Sequence, residues 1–328
     1  MAIRLSRRNG SAGNLSFKKI GLLAKAESPL SLACLKQLLP IFKKFQAKNP
    51  EAKIWIDKDL QPLLPKTTSF LFASAESMAK SCELLLSVGG DGTLLRAARL
   101  LLESEGWKTA SLLGINTGRL GFLTVLGAED APNKIEQILS APRKSTIEVR
   151  ECLEIKILRK KKVFKTFHVL NDCVLKNGAL ARLIEFGVSM NGEFLSAYRA
   201  DGLIVSTPTG STAYNLAAGG AILDPHISAI QLTPICAQSF SNKPIVVSDK
   251  SKISLSLGGH PPEVYLTLDG HMGVKIERGD TVEIQKSPKS IKLLLPKGAG
   301  PVHYIHSLRQ KLKWGLVSPP LATHDRIF

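Results

Sequence analysis

The sequence predicts an α/β N-terminal domain with a parallel sheet, followed by a mainly antiparallel, sandwich-like β domain. Three observations carry that expectation. In the first 140 residues, short apolar runs alternate with stretches of helical period. Beyond about residue 140, apolar residues recur at every second position instead. Asn191-Gly192 and Asp269-Gly270 follow such alternating runs, as hairpin turns do. A chain of 328 residues has room for about two domains.

The elements follow in order. Residues 1–16 are polar, basic and rich in Ser, Gly and Asn, and read as a flexible extension. Arg and Ser without acids also suit a targeting peptide, although the stretch is short and weakly amphipathic. An α/β domain is expected over 17–142. Its strands are 20–24, 52–57, a third opening at 71–72, 84–88 and 111–115, and its helices are 30–45, disturbed at Pro40, and 94–102. LLLSV at 84–88 is apolar throughout, too short for a helix and ends at glycines, which suits a buried parallel strand. A β domain is expected over 143–296. Ile147 and Val149, Leu153 to Ile157, Ile184 to Met190, Ile253 to Leu257, Val264 to Leu268 and Val282 to Ile284 alternate as half-buried strands do. The tail, 297–328, contains Tyr304, Leu308 and Leu312 at near-helical spacing; this helix is expected to return to the N-terminal domain.

Composition excludes several classes. With 44% hydrophobic and 22% charged residues the chain reads as neither disordered nor fibrous. No apolar run approaches the roughly 18–20 residues of a membrane span. Five scattered cysteines without a CxxC pair argue against a disulfide framework or structural zinc, and for a reducing, cytoplasmic setting. The formal charge of +17 invites a nucleic-acid partner. It is concentrated in residues 1–19, 143–167 and 286–328, and the glycine-rich stretches lie elsewhere. Aromatic residues make up only 6%, too few for a basic face interleaved with base-stacking rings.

Three turns carry chemistry. Gly89-Gly90-Asp91-Gly92-Thr93 lies between a buried strand and a helix. Its glycines allow close approach of a ligand, and the helix start offers unpaired N–H groups to an anion. An aspartate in such a cradle opposes anion binding, so Asp91 must serve otherwise, by holding Mg²⁺, taking a proton or capping the helix. Gly114-Ile-Asn-Thr-Gly118-Arg-Leu-Gly121 follows the next strand and opens at the same sheet edge, where open α/β sheets bind ligands. The third turn, in 201–215, is dense in Ser and Thr, which suits sugar hydroxyls and phosphates. GxGxxG does not follow strand 84–88, and GxxxxGK[ST] occurs nowhere, which disfavours a standard dehydrogenase or a P-loop kinase.

GGDGT at 89–93, GINTGRLGFL at 114–123, LND at 170–172 and DGLIVSTPTGSTAYNLAAGGAIL at 201–223 resemble, in order, the motifs of the NAD kinase family. The likeness spans about residues 17–315. GGDGT alone is shared with lipid and phosphofructokinase-type kinases; the 201–223 block narrows the resemblance. It implies Mg²⁺-dependent transfer of the ATP γ-phosphate to the adenosine-ribose 2′-hydroxyl of NAD, with Asp91 as general base. Gly89, Gly90, Gly92 and Thr93 would cradle the triphosphate. The resemblance places Asp91, Gly92, Arg96, Asn171, Asp172, Arg182, Arg199, Asp201, Thr212, Ala213, Tyr214, Asn215, Leu216, Ala217 and His271 around NAD. It also implies a homodimer or homotetramer with NAD and ATP as small-molecule partners, and neither nucleic acid nor membrane. Asp172 stands where glutamate is commoner, Asn215 and Ala217 where serine is common, and Ala237-Gln238 and His271 replace Pro-His and Gln. A diacylglycerol- or sphingosine-type kinase would share GGDGT but leave TPTGSTAY unexplained. A non-catalytic nucleotide-binding regulator would have no use for Asp91.

Overall fold

The computed structural model describes residues 10–11, 17–65, 70–118, 121–178, 183–259, 263–296 and 301–314. Five strands, β1 (Lys19–Ala24), β2 (Lys53–Asp57), β3 (Leu71–Ala73), β4 (Leu84–Gly89) and β5 (Ser111–Asn116), form a parallel layer in the order β3-β2-β1-β4-β5. Both β4 and β5 are buried at every position, which is why their sequences are continuous rather than alternating. Helices α1 (Pro29–Lys48), α2 (Ala75–Ser81), α3 (Asp91–Glu103) and α4 (Ala131–Ser140) cover the layer. Two apolar clusters seal it, one with Leu35, Leu38 and Phe42 of α1, the other with Leu94, Ala98 and Leu101 of α3.

The disturbance expected at Pro40 does not divide α1, which runs as one helix through it. Pro40 and Lys36 are both exposed, so the carbonyl freed by the missing N–H faces water. The third helix also starts earlier than its apolar period suggests, because Gly90 caps it and Asp91 occupies its first turn. A polar first turn is invisible to a search for apolar spacing.

Apart from the two-residue strands Gly10–Ser11 and Leu126–Gly127, the remaining strands are β6 (Thr146–Arg159), β7 (Lys162–Val169), β8 (Asp172–Asn177), β9 (Ile184–Met190), β10 (Glu193–Ala200), β11 (Gly202–Ser206), β12 (Ala229–Ile235), β13 (Ile245–Ser248), β14 (Ile253–Leu257), β15 (Val264–Leu268), β16 (Met272–Ile276) and β17 (Thr281–Leu295). One six-stranded sheet has the order β13-β12-β11-β8-β15-β16. The others join the parallel layer in a single larger sheet. β17 makes that junction: it pairs antiparallel with β6 and β14, and its Lys292 and Leu293 pair parallel with Ser111 and Leu112 of β5. Inward residues of both sheets, such as Ile155, Phe186 and Ile284 from one and Leu175, Leu203 and Leu266 from the other, form one core between them. Asn191-Gly192 and Asp269-Gly270 make the expected hairpins, all four residues having positive φ.

The closing helix, α5 (Pro301–Leu312), touches both halves. Its Tyr304 hydroxyl donates to the Leu223 carbonyl at 2.9 Å, and its Lys311 ammonium lies 4.3 Å from the centre of the Phe122 ring. Among the described residues no helix is long and apolar enough to cross a membrane. All five cysteines are free thiols, four of them buried.

Candidate active site

The turns after β4 and β5 lie side by side because those strands pair in register, Gly89 opposite Asn116. Asp91 joins them. Its Oδ1 accepts from the N–H of Leu123 at 3.3 Å, the N–H of Thr124 at 3.0 Å and the Thr124 hydroxyl at 2.9 Å. Among the described residues its Oδ2 accepts from the Phe122 N–H alone, at 2.8 Å. Buried Asn116 braces this arrangement by donating to Thr124 Oγ1 at 2.8 Å and accepting from the Gly118 N–H at 2.7 Å. Gly121 is required here: a Cβ would sit on top of Asp91 Oδ1 and Thr124 Oγ1.

A cavity of about 640 Å³ opens beside this junction, at the carboxyl edge of the parallel strands. Gly90, Gly92, Thr93, Arg96 and Arg99 of the capped helix line it, with Lys25 and Glu27 after β1, Asp57 at the end of β2 and Asp59 just beyond it, and His271 from the other half. Helix α3 turns its first N–H groups toward this edge, where a helix has no internal partners for them. The Arg96 guanidinium lies 3.6 Å from the carboxylate of Asp57, which is 2% exposed. Burial raises the Asp57 carboxyl above its usual range, opposed by the Asp59 N–H and by Arg96.

A second cavity, about 260 Å³, lies along β8 and holds Asn171, Asp172, Lys176, Ala213, Tyr214, Asp269 and Gly270. Burial, and then the neighbouring Asp269, push the Asp172 carboxyl up to about 7. The hydroxyl-rich turn supports the 170–172 turn from beneath. Thr207 Oγ1 donates to the Leu170 carbonyl at 2.6 Å and the Thr207 N–H donates to the Asn171 carbonyl at 2.9 Å.

Nine of the eighteen residues singled out from the sequence line one of the two cavities, and Asp91 lies at the junction beside the larger one. Gly90, Gly92, Thr93, Arg96 and His271 line the larger cavity, and Asn171, Asp172, Ala213 and Tyr214 the smaller. Gly89 is buried at the end of β4, one residue short of the cavity wall. Asn215 is wholly buried: it donates to the Ser211 carbonyl at 3.2 Å and accepts from Thr233 at 2.6 Å. Thr212, Leu216 and Ala217 line neither cavity. Ser206, Thr207 and Ser211 donate to backbone carbonyls, so those hydroxyls, expected to serve a ligand, are used inside the turn. Arg199 is exposed and 3.6 Å from Glu185, and Asp201 lies exposed between β10 and β11, outside both cavities. Arg182 lies outside the described residues. Lys25, Glu27, Asp57, Asp59 and Arg99 belong to no motif and are not anticipated from the sequence. The available signal was positional, since Asp57 ends a parallel strand at the edge where ligands bind.

Residues 46–143 match the ATP-NAD kinase N-terminal domain, and residues 170–295 match the ATP-NAD kinase C-terminal domain. The NAD kinase of Citrifermentans bemidjiense is 38% identical over 300 residues, which are 91% of this chain and 99% of that protein. The chain belongs to the NAD kinase family. The NAD kinase of Teredinibacter turnerae is 37% identical over 91% of this chain and 97% of its own length. Two solved structures share the fold. The yeast NADH kinase complexed with NADH superposes with a TM-score of 0.81 at 23% identity, over 94% of this chain and 91% of its own. The Archaeoglobus fulgidus NAD kinase in complex with ATP gives 0.67 at 21% identity, over 90% of this chain and 98% of its own.

Proposed function

We infer that this chain is an NAD kinase, transferring the γ-phosphate of ATP to the 2′-hydroxyl of the adenosine ribose of NAD to give NADP and ADP. The observation that carries this reading is the Asp91 carboxylate. It is held by the 122–124 loop, yet among the described residues Oδ2 accepts a single hydrogen bond and retains a lone pair for a substrate hydroxyl. As the 2′-oxygen bonds to the γ-phosphorus, its proton passes to Asp91 and the bond from γ-phosphorus to the bridging oxygen breaks, releasing ADP. General-base help of this kind contributes about 10²–10⁴ in rate. The rest of phosphoryl transfer is positioning and charge neutralisation. Gly90, Gly92 and Thr93 at the start of α3, with Arg96 and Arg99 behind them, supply donors and positive charge for phosphate oxygens. Asn171, Asp172, Ala213 and Tyr214 offer acceptors and an aromatic face to the nucleoside of NAD. His271, at the larger cavity, would stand between the two substrates.

The same reading includes Mg²⁺. Among the described residues no three acidic, His or Cys side chains converge as a ligand cage. The metal would come with the triphosphate and would neutralise phosphate charge. The chain would act in the cytoplasm, in keeping with five unpaired cysteines, as a homodimer or homotetramer without nucleic-acid or membrane partners.

The test is direct. Purified protein supplied with ATP, Mg²⁺ and NAD should form NADP, read with an NADP-specific dehydrogenase. Absence of NADP with every phosphoryl donor tried would overturn the assignment.

A further inference from the structure

Three successive backbone N–H groups, those of Leu170, Asn171 and Asp172, point at one carboxylate. Asp269 accepts them at 3.0, 2.7 and 3.1 Å, and its own N–H donates to the Asp172 carbonyl at 3.0 Å. Consecutive N–H groups converging on a point make a concave nest of the kind that captures free anions. Here the chain fills the nest itself, from the turn after β15. Asp269 is 9% exposed and Leu170 fully buried, so the clamp lies inside the protein. A buried carboxylate is costly even when hydrogen-bonded, and an apolar side chain would fill the space without that cost. What the carboxylate provides is a fixed backbone.

That backbone carries Asn171 and Asp172 into the smaller cavity. Asn171 Oδ1 is buried there and has no hydrogen-bond donor among the described residues. The Asp172 carboxylate, 4% exposed, also takes no donor from the described residues. Two adjacent acceptors held without donors call for a ligand that brings donors, such as a pair of ribose hydroxyls or an amino group.

We propose that Asp269 is a positioning residue for the dinucleotide: by gripping the 170–172 turn it holds Asn171 Oδ1 and the Asp172 carboxylate where the donors of NAD meet them. The proposal rests on the NAD kinase reading for its ligand. It assigns Asp269 no contact with the reacting atoms.

Two substitutions separate the contributions. In Asp269→Asn, an amide oxygen in place of Oδ1 still serves Asn171 and Asp172, but the amide nitrogen faces the Leu170 N–H. In Asp269→Ala both acceptor oxygens are gone and all three N–H groups lose their partner. Since leaving buried donors unpaired is costly and each tenfold in affinity is about 1.4 kcal/mol, KM for NAD should rise about 3-fold in Asp269→Asn and about 10-fold or more in Asp269→Ala. The kcat should stay within about 3-fold and KM for ATP should not move. Calorimetric titration with NAD in the absence of ATP should show the same order of weakening, independently of turnover. Equal NAD affinity in wild type and Asp269→Asn, or KM for ATP and NAD rising together, would overturn the proposal; Asp269→Asn decides the matter if Asp269→Ala does not fold. A wild type that forms no NADP would instead count against the functional reading, while the NAD titration still judges Asp269.

Discussion

Replacing Gly121 by alanine adds one methyl group at the most crowded point of the candidate active site. The new Cβ would overlap Asp91 Oδ1 and Thr124 Oγ1, and Asp91 Cγ lies just beyond. Asp91 cannot retreat easily, because its backbone is the first turn of α3. Thr124 is wholly buried and braced by Asn116, so it cannot retreat either. The loop must therefore back away by about 1 Å to restore normal van der Waals separation. The four hydrogen bonds to Asp91 now span 2.8–3.3 Å. A shift of about 1 Å takes all of them beyond hydrogen-bonding reach. Overpacking of this kind costs about 1–3 kcal/mol of stability. Misplacing a reacting group by about 1 Å costs about 10²-fold in rate. Gly121→Ala should therefore lower kcat about 100-fold and reduce Tm by a few degrees, measured by NADP formation and thermal melting. Gly127→Ala is the control, since nothing lies within 4 Å of its added methyl and both readouts should be unchanged. Wild-type kcat in Gly121→Ala would refute the claim that the loop and Asp91 work as one unit.

Other changes have equally definite outcomes. Asp91→Asn should lower kcat by about 10²–10⁴ with a modest loss of stability, because the amide still accepts through one oxygen; near-normal turnover would remove Asp91 as base. Asp172→Asn should stabilise the protein at pH 8 while impairing NAD binding. The Asp172 carboxyl is raised from 3.8 to about 7 in the fold. The folded state thus holds the proton more tightly, and this group's contribution falls as pH rises from about 4 to about 7, by at most about 4 kcal/mol. Denaturation midpoints of wild type and Asp172→Asn should therefore diverge across that range. Asp57→Ala should free Arg96 and raise KM for the nucleotide substrates several-fold, with a smaller effect on kcat. Lys160→Asn with Lys161→Gly should raise stability by about 1–2 kcal/mol, read from the denaturant midpoint. Both lysines have positive φ in the tight turn joining β6 to β7, where Asn-Gly is the favoured pair.

Local chemistry is legible in the sequence wherever it has a short-range signature. The fully buried β4 and β5 can be read from uninterrupted apolar runs, and the two hairpins from Asn-Gly and Asp-Gly. The same holds for Asp91, whose charge inside a glycine turn demands an explanation. Its partners are another matter, because a hydrogen bond from 91 to 122–124 depends on how two adjacent strands end, and no local pattern encodes that. Asn215 stands in a motif that suggests a ligand-facing residue, yet a buried amide with donors and acceptors on every side reads identically in sequence. Arg199 is the reverse case: a motif charge that ends at the exposed rim beside Glu185. The Arg/Lys-rich run at 159–162 reads as a hairpin region, but Lys160-Lys161 lacks the usual turn residues, and the pairing of the flanking strands forces a conformation that lysine does not favour.

The junction made by β17 has a consequence for how the molecule is born. During synthesis β5 emerges long before residues 292–293, so Ser111 and Leu112 on the edge of the parallel layer stay unpaired until every other strand has appeared, although Leu126 and Gly127 cover Ile115 and Asn116 much earlier. β6 likewise waits for the same late strand along most of its length. An open, apolar edge is a template for pairing with other chains. The nascent protein is therefore most exposed to aggregation just before β17 leaves the ribosome. A fragment stopped before β17 should be insoluble, however complete its parallel strands and its GGDGT turn.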